Sequence, residues 1–132
     1  YMSKRWSGTF QFEGSDPVSK DKVYMDVDIT NGGRCFMMNR RRSVPKSSDA
    51  GMERMWGSVH FENDRIRFRV RKISWIVMSW NGSESGTRNY DEENEEDSSA
   101  YGTRLVLEAR IINEFDCIEI EGMRLKRVRS KL

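Results

Sequence analysis

The chain has 132 residues, of which 36% are hydrophobic and 33% charged, with a formal net charge of +2. That length and composition give one domain around a single core, and no run reaches the roughly 18 apolar residues that a membrane span requires. Two cysteines are too few for a disulfide framework, and "YMSKRWSG" has no apolar segment of the kind a secretory leader carries.

In chain order, "WSGTFQFE" alternates with period two and places Trp6, Gly8, Phe10 and Phe12 on one face. "KVYMDVDIT" is the clearest half-buried strand, with Val23, Met25, Val27 and Ile29 inward and Tyr24, Asp26 and Asp28 outward. Asn31-Gly32 follows, the dipeptide that a type I′ hairpin prefers because both central residues need positive φ. "CFMM" returns as the partner strand. Residues 39–51, "NRRRSVPKSSDAG", read as loop from Pro45, Gly51 and three serines.

"RMWGSVHFE" predicts a strand with Met55, Gly57, Val59 and Phe61 on one face and Trp56, Ser58 and His60 on the other. "END" turns it into "RIRFRVRK", where Arg65, Arg67, Arg69 and Arg71 alternate with Ile66, Phe68 and Val70. "ISWIVMSW" is a near-continuous apolar run, which predicts a strand covered on both faces. The polar stretch from Asn81 to about Ala100 is expected to be a long disordered acidic loop. After it, Leu105, Leu107, Ala109 and Ile111 alternate inward, "NEFD" turns the chain, and "CIEIE" and "MRLKRV" flank a bend at Gly122. Eight or nine short consecutive strands predict an all-β fold, a single antiparallel barrel (or sandwich) of about eight strands, with residues 82–100 as an acidic insertion. Residues 1–132 form one barrel-like unit, and a chain opening on Tyr1 is expected to be part of a larger protein.

Catalytic signatures are absent from the pattern. His60 is the only histidine, which leaves no dyad or zinc motif, and no CxxC spacing is present. Cys35 and Cys117 sit in apolar strand context and are expected to be buried, reduced thiols; one bridge between them would require neighbouring strands. Asp26 with Asp28, and Glu119 with Glu121, are i, i+2 carboxylates on a solvent face. No enzyme activity, metal or cofactor is expected. The "NGS" at Asn81 matches a glycosylation acceptor, which matters only in an exported protein.

Charge is unevenly placed. Glu84 to Asp97 holds seven acids against Arg88, a net −6, which leaves +8 for the rest of a chain whose total is +2. The arginine ladder, spaced about 6.5–7 Å by the strand repeat, is the feature that stands out. With Arg124 and Lys126 of the last strand it would make a basic sheet face, near Trp56, His60 and Trp75 as aromatic contacts. Such a face suits an acidic or extended protein partner, or the phosphates of single-stranded nucleic acid. Outward carboxylates, Glu108 and Glu119 among them, are placed to pair with it across strands. "RRRSVP" resembles a basophilic-kinase site and the phosphoserine motif bound by 14-3-3 proteins, with Ser43 as the candidate phosphosite.

The opening "RWSGTFQFE" and the closing "EIEGMRLKR" resemble the first and last strands of calycin-type, lipocalin-like barrels, and the later lipocalin motifs are not present. The resemblance implies a small apolar ligand but assigns no ligand residue; from the aromatic content alone, Trp6, Phe10, Trp75 and Met78 would surround an apolar cavity if the barrel is roomy. The preferred reading is a non-catalytic interaction module of an intracellular protein, nuclear or cytoplasmic. Its partner is expected to be a protein, or else nucleic acid, and not a membrane.

Overall fold

A computed structural model describes residues 7–90 and 105–128. Nine antiparallel strands make up this part of the chain: β1 (Gly8–Ser15), β2 (Lys22–Thr30), β3 (Cys35–Ser43), β4 (Ala50–Glu62), β5 (Arg65–Ser79), β6 (Gly82–Asn89), β7 (Leu105–Ile112), β8 (Cys117–Ile120) and β9 (Met123–Arg127). Eight of them close a barrel in the order β1-β2-β3-β4-β5-β7-β8-β9, and β6 is an extra strand on β5. The barrel expected from consecutive hairpins is therefore the fold.

The alternation read from sequence sets the core. Met25, Val27, Met38, Met55, Ile66, Phe68, Ile118 and Leu125 are fully buried, with Phe12, Val59, Phe61, Leu105 and Leu107 packed around them. Phe115, from the β7–β8 turn, plugs the lower end. Its ring centre lies 5.0 Å from that of Phe10 and 5.6 Å from that of Phe61. The Arg127 guanidinium stacks on Phe10 and Phe115 and donates to the carbonyls of Phe115 and Ser7. Asn31 and Gly32 have φ of 54° and 66°, and Gly33 N–H donates to the Thr30 carbonyl at 3.2 Å, the type I′ geometry their identity favours.

The wall of the barrel is uneven in height. β5 is fifteen residues long, and one edge of it carries two successive partners: β7 along Arg65–Val70 and β6 along Lys72–Ser79. β6 and β7 thus occupy one strand line, and the segment 91–104 is inserted between them. The break coincides with a β-bulge, where the register with β4 slips between Trp56 and Gly57 and Arg71 is the extra residue. The bulge depends on a glycine. A Cβ on Gly57 would stand 1.9 Å from the Arg69 carbonyl oxygen, so no other residue fits beneath the bent strand. On the far side, β8 and β9 are only four and five residues long. Consequently the upper parts of β1 to β5, together with β6, extend past the short β8 and β9 as an open-sided wall.

Four expectations are corrected here. Arg40–Ser43 is not loop but the upper part of β3, paired with β2 and β4, so the connection shortens to residues 44–49. Gly82–Asn89 is not acidic loop but β6, and the acids between Asp91 and Asp97 lie outside the described residues. "ISWIVMSW" is not covered on both faces: Ile73 is buried and Trp75 packs on the core, whereas Ile76 and Met78 are exposed on the outer face, Val77 at the open end and Trp80 in the turn to β6. The cysteines are both free, Cys117 buried but Cys35 exposed, on strands that are not neighbours.

Candidate binding surface

The lower half of β5 turns Ile66, Phe68 and Val70 into the core, so Arg65, Arg67 and Arg69 project from the barrel's outer face. Arg71, at the bulge, is also exposed. β9 does not neighbour this ladder, since β7 and β8 intervene. The register nevertheless aligns Arg65, Arg110, Glu119 and Arg124 in one row across β5, β7, β8 and β9. At a strand spacing of about 4.8 Å, that row spans roughly 14 Å. Lys126 lies one step further along β9, opposite Cys117.

The carboxylates expected from sequence are in place. Glu108 is shared by Arg65 (3.7 Å) and Arg67 (3.5 Å), and Glu119 by Arg110 (3.4 Å) and Arg124 (3.4 Å). All four guanidiniums remain about half exposed or more. Exposed pairs of this kind contribute about 0.2–1 kcal/mol each. Two carboxylates therefore hold four cations loosely, orient their N–H groups, and leave a local excess of positive charge. Arg110 was not singled out from sequence as a site residue; its place opposite Arg65 depends on which strands neighbour, and the alternation within β7 could show only that it faces outward.

The aromatic residues divide. Trp56 is on the outer face, but Lys72 (5.3 Å) and Arg54 (6.0 Å) flank its ring as cation–π partners. His60 is exposed on the same face, paired in register with Arg67. Trp75 belongs to the other side of the sheet. It packs against the core and lies over Gly86, its cross-strand partner, where a Cβ would meet the indole at 2.4 Å. It is not part of the basic face.

Ser43 ends β3, in register with Lys22 and Ala50, and the arginines before it are engaged. Arg40 binds Glu53 (3.1 Å) and Glu121 (3.2 Å), Arg42 binds Asp16 (3.0 Å) and Asp21 (3.3 Å), and Arg41 lies over the Tyr24 ring. The N–H groups of Val18 and Ser19, and then Arg42, hold the Asp16 carboxyl below its ordinary value of 3.8. Burial pushes the Cys117 thiol up, which keeps it protonated and unreactive.

No family model, curated protein or solved structure matches this chain. Its surface has to be interpreted from its own geometry. The residues proposed to line a ligand cavity do not converge: Phe10 is buried at the lower end beside Phe115, Met78 is exposed on the wall, and Trp6 lies outside the described residues. Concavities occur on the outside instead, one of about 330 Å³ at the β4–β5 turn beside Arg65, Arg67 and Glu108, and two on the wall. A groove of about 370 Å³ is lined by Arg40, Arg42, Val44, Glu53, Val77 and Met78, and one of about 310 Å³ by Met52, Arg54, Trp56 and Ile76. Among the described residues no three His, Cys, Asp or Glu side chains are grouped to hold a metal ion.

Proposed function

We propose that this domain is a non-catalytic binding module whose basic outer face receives an acidic, extended polypeptide. The observation that carries this reading is the sharing of Glu108 and Glu119 by four arginines drawn from β5, β7 and β9. An incoming chain with carboxylates at strand spacing can take over guanidinium donors that the resident glutamates hold only weakly. An acidic polypeptide fits better than a single-stranded nucleic acid for a specific reason. Base stacking needs several open aromatic faces along the charge track, whereas Trp56 lies between two cations, Trp75 is on the opposite side of the sheet, and of the three aromatic candidates His60 alone stands exposed beside Arg67.

The test is fluorescence anisotropy with a labelled Asp/Glu-rich peptide and, in parallel, an oligo-dT of matched charge. The peptide should bind, weaken as salt rises, and be lost in Arg67→Glu/Arg124→Glu while thermal stability shifts little. Tighter binding of the oligonucleotide by the same residues would transfer the face to nucleic acid. Peptide binding unchanged in the double variant would reject the basic face altogether.

A further inference from the structure

The extra strand β6 is a sheet edge. Among the described residues it is the one strand with a single neighbour, β5, whereas every other strand has at least two. Its pairing with β5 runs without interruption from Gly82 to Asn89, opposite Ser79 to Lys72. β7 continues the same strand line, and β8 pairs with β7 only along Arg110–Ile112, so no described strand lies beside β6. Edges of this kind are ordinarily blunted by lysine, proline or a bulge. β6, "GSESGTRN", carries none of the three. Its outward N–H and C=O groups are a template for one further strand.

We propose that β6 pairs antiparallel with β6 of a second copy of this chain, across a two-fold axis at Gly86. The strand is complementary to itself about that residue. Centring the pair there sets Glu84 opposite Arg88 of the second copy, and the reverse, so one register makes two pairs of opposite charge. Ser85 meets Thr87 in the same way, and Ser83 meets Asn89. Moving the centre to Ser85 or to Thr87 sets Arg88 opposite a glycine, so charge specifies the register. Glu84 is exposed, and Arg88 is half-buried with its guanidinium 5.2 Å from the Tyr90 ring centre, held in place before a second strand arrives. The inner face supports the same centre. Glu84, Gly86 and Arg88 share that face with Val77, Trp75 and Ile73, their partners on β5. The six-membered ring of the Trp75 indole lies over Gly86 and leaves no room for a Cβ. At the axis Gly86 faces Gly86, so the two backbones meet with no side chain between them, and one indole covers the junction from each side. A foreign extended chain can use the same edge amides, but a second β6 brings opposite charge at both positions, which is the argument for that occupant. Strand pairing over Ser83–Asn89 alone lies at the small end of specific interfaces, so the dimer is a weak one.

The experiment is sedimentation velocity of the chain from about 10 μM to about 1 mM, a range that spans weak dimer affinities. It should show a monomer–dimer equilibrium. Glu84→Arg and Arg88→Glu should each weaken association roughly tenfold or more, since two attractive pairs become two repulsive ones. An equimolar mixture of the two variants should regain it, because positions 84 and 88 are then again of opposite sign across the axis. The double exchange Glu84→Arg/Arg88→Glu in one chain keeps opposite signs as well and should associate like the parent. Unchanged melting temperatures are the control for folding. Arg67→Glu/Arg124→Glu should leave the equilibrium intact, which separates this edge from the basic face. A chain that stays monomeric throughout, a dimer that both single variants leave unchanged, or a mixture that does not reassociate would each overturn the inference. Loss of the dimer in Arg67→Glu/Arg124→Glu would also overturn it, by assigning self-association to the basic face.

Discussion

One strand holds the most instructive contrast in this molecule. Below the bulge at Arg71, β5 alternates three arginines with only three apolar residues, yet Ile66, Phe68 and Val70 are completely buried. Above it the strand is far more apolar, and Ile76, Val77 and Met78 stand 38–51% exposed. The difference follows from the face each side chain takes and from enclosure. The lower half has β4 on one side and β7 on the other, with β8, β9 and β1 closing the space opposite. Past the bulge Ile76 and Met78 fall on the outer face, and of the inward side chains Ile73 is buried and Trp75 packs on the core, whereas Val77 lies at the open end of the barrel. Burial is a property of what surrounds a residue and only partly of the residue itself.

The contrast can be broken most severely from inside. Phe68→Ala should cost about 3–5 kcal/mol in urea-induced unfolding, because a large core side chain is lost and a cavity remains. Val77→Ala, in the more apolar half of the same strand, should fall within about 0.5 kcal/mol of the parent. Equal costs would show that the wall is covered in solution. Next in size is Gly57→Ala, where the new Cβ meets the Arg69 carbonyl. With backbone on both sides and little room to yield, a loss on the order of 2–3 kcal/mol is expected, measured as a lowered urea midpoint.

Much of the enclosed half was legible in the sequence. The inward faces Val23–Ile29, Met55–Phe61 and Leu105–Ile111 follow from period-two alternation, because closure makes one face dry and the other wet. Glu108 and Glu119 were also visible as partners of the ladder. The wall was not legible, for identifiable reasons. Arg40–Ser43 resembles loop because strand propensity there is overridden by pairing on both edges. β6, "GSESGTRN", has scarcely a β-forming side chain and exists because β5 offers it an edge and Trp75 covers Gly86. The bulge leaves a single trace, Gly57, and a glycine in a strand can mean several things. Without the bulge in view, the apolar run after it reads as interior.

A smaller effect should appear with pH. The folded Asp16 carboxyl lies below its ordinary value of 3.8, so its stabilising contacts with Val18, Ser19 and Arg42 are fully present above that value. They are lost as the pH falls through the lower folded value. Amide resonances of Val18 and Ser19 should therefore move below the usual aspartate range, and Asp16→Asn should remove that titration. If the parent and Asp16→Asn titrate alike, the loop that presents Val18 is held by something else.

Residue-resolved amide hydrogen exchange along β5 tests the division most directly. Amides of Ile66, Phe68 and Val70 should exchange only through global unfolding and share its denaturant dependence, whereas those of Ile76, Val77 and Met78 should exchange through local opening at far lower free energy. Uniform protection from Arg65 to Ser79 would contradict the account, because it would mean that the upper wall is enclosed as firmly as the barrel beneath it.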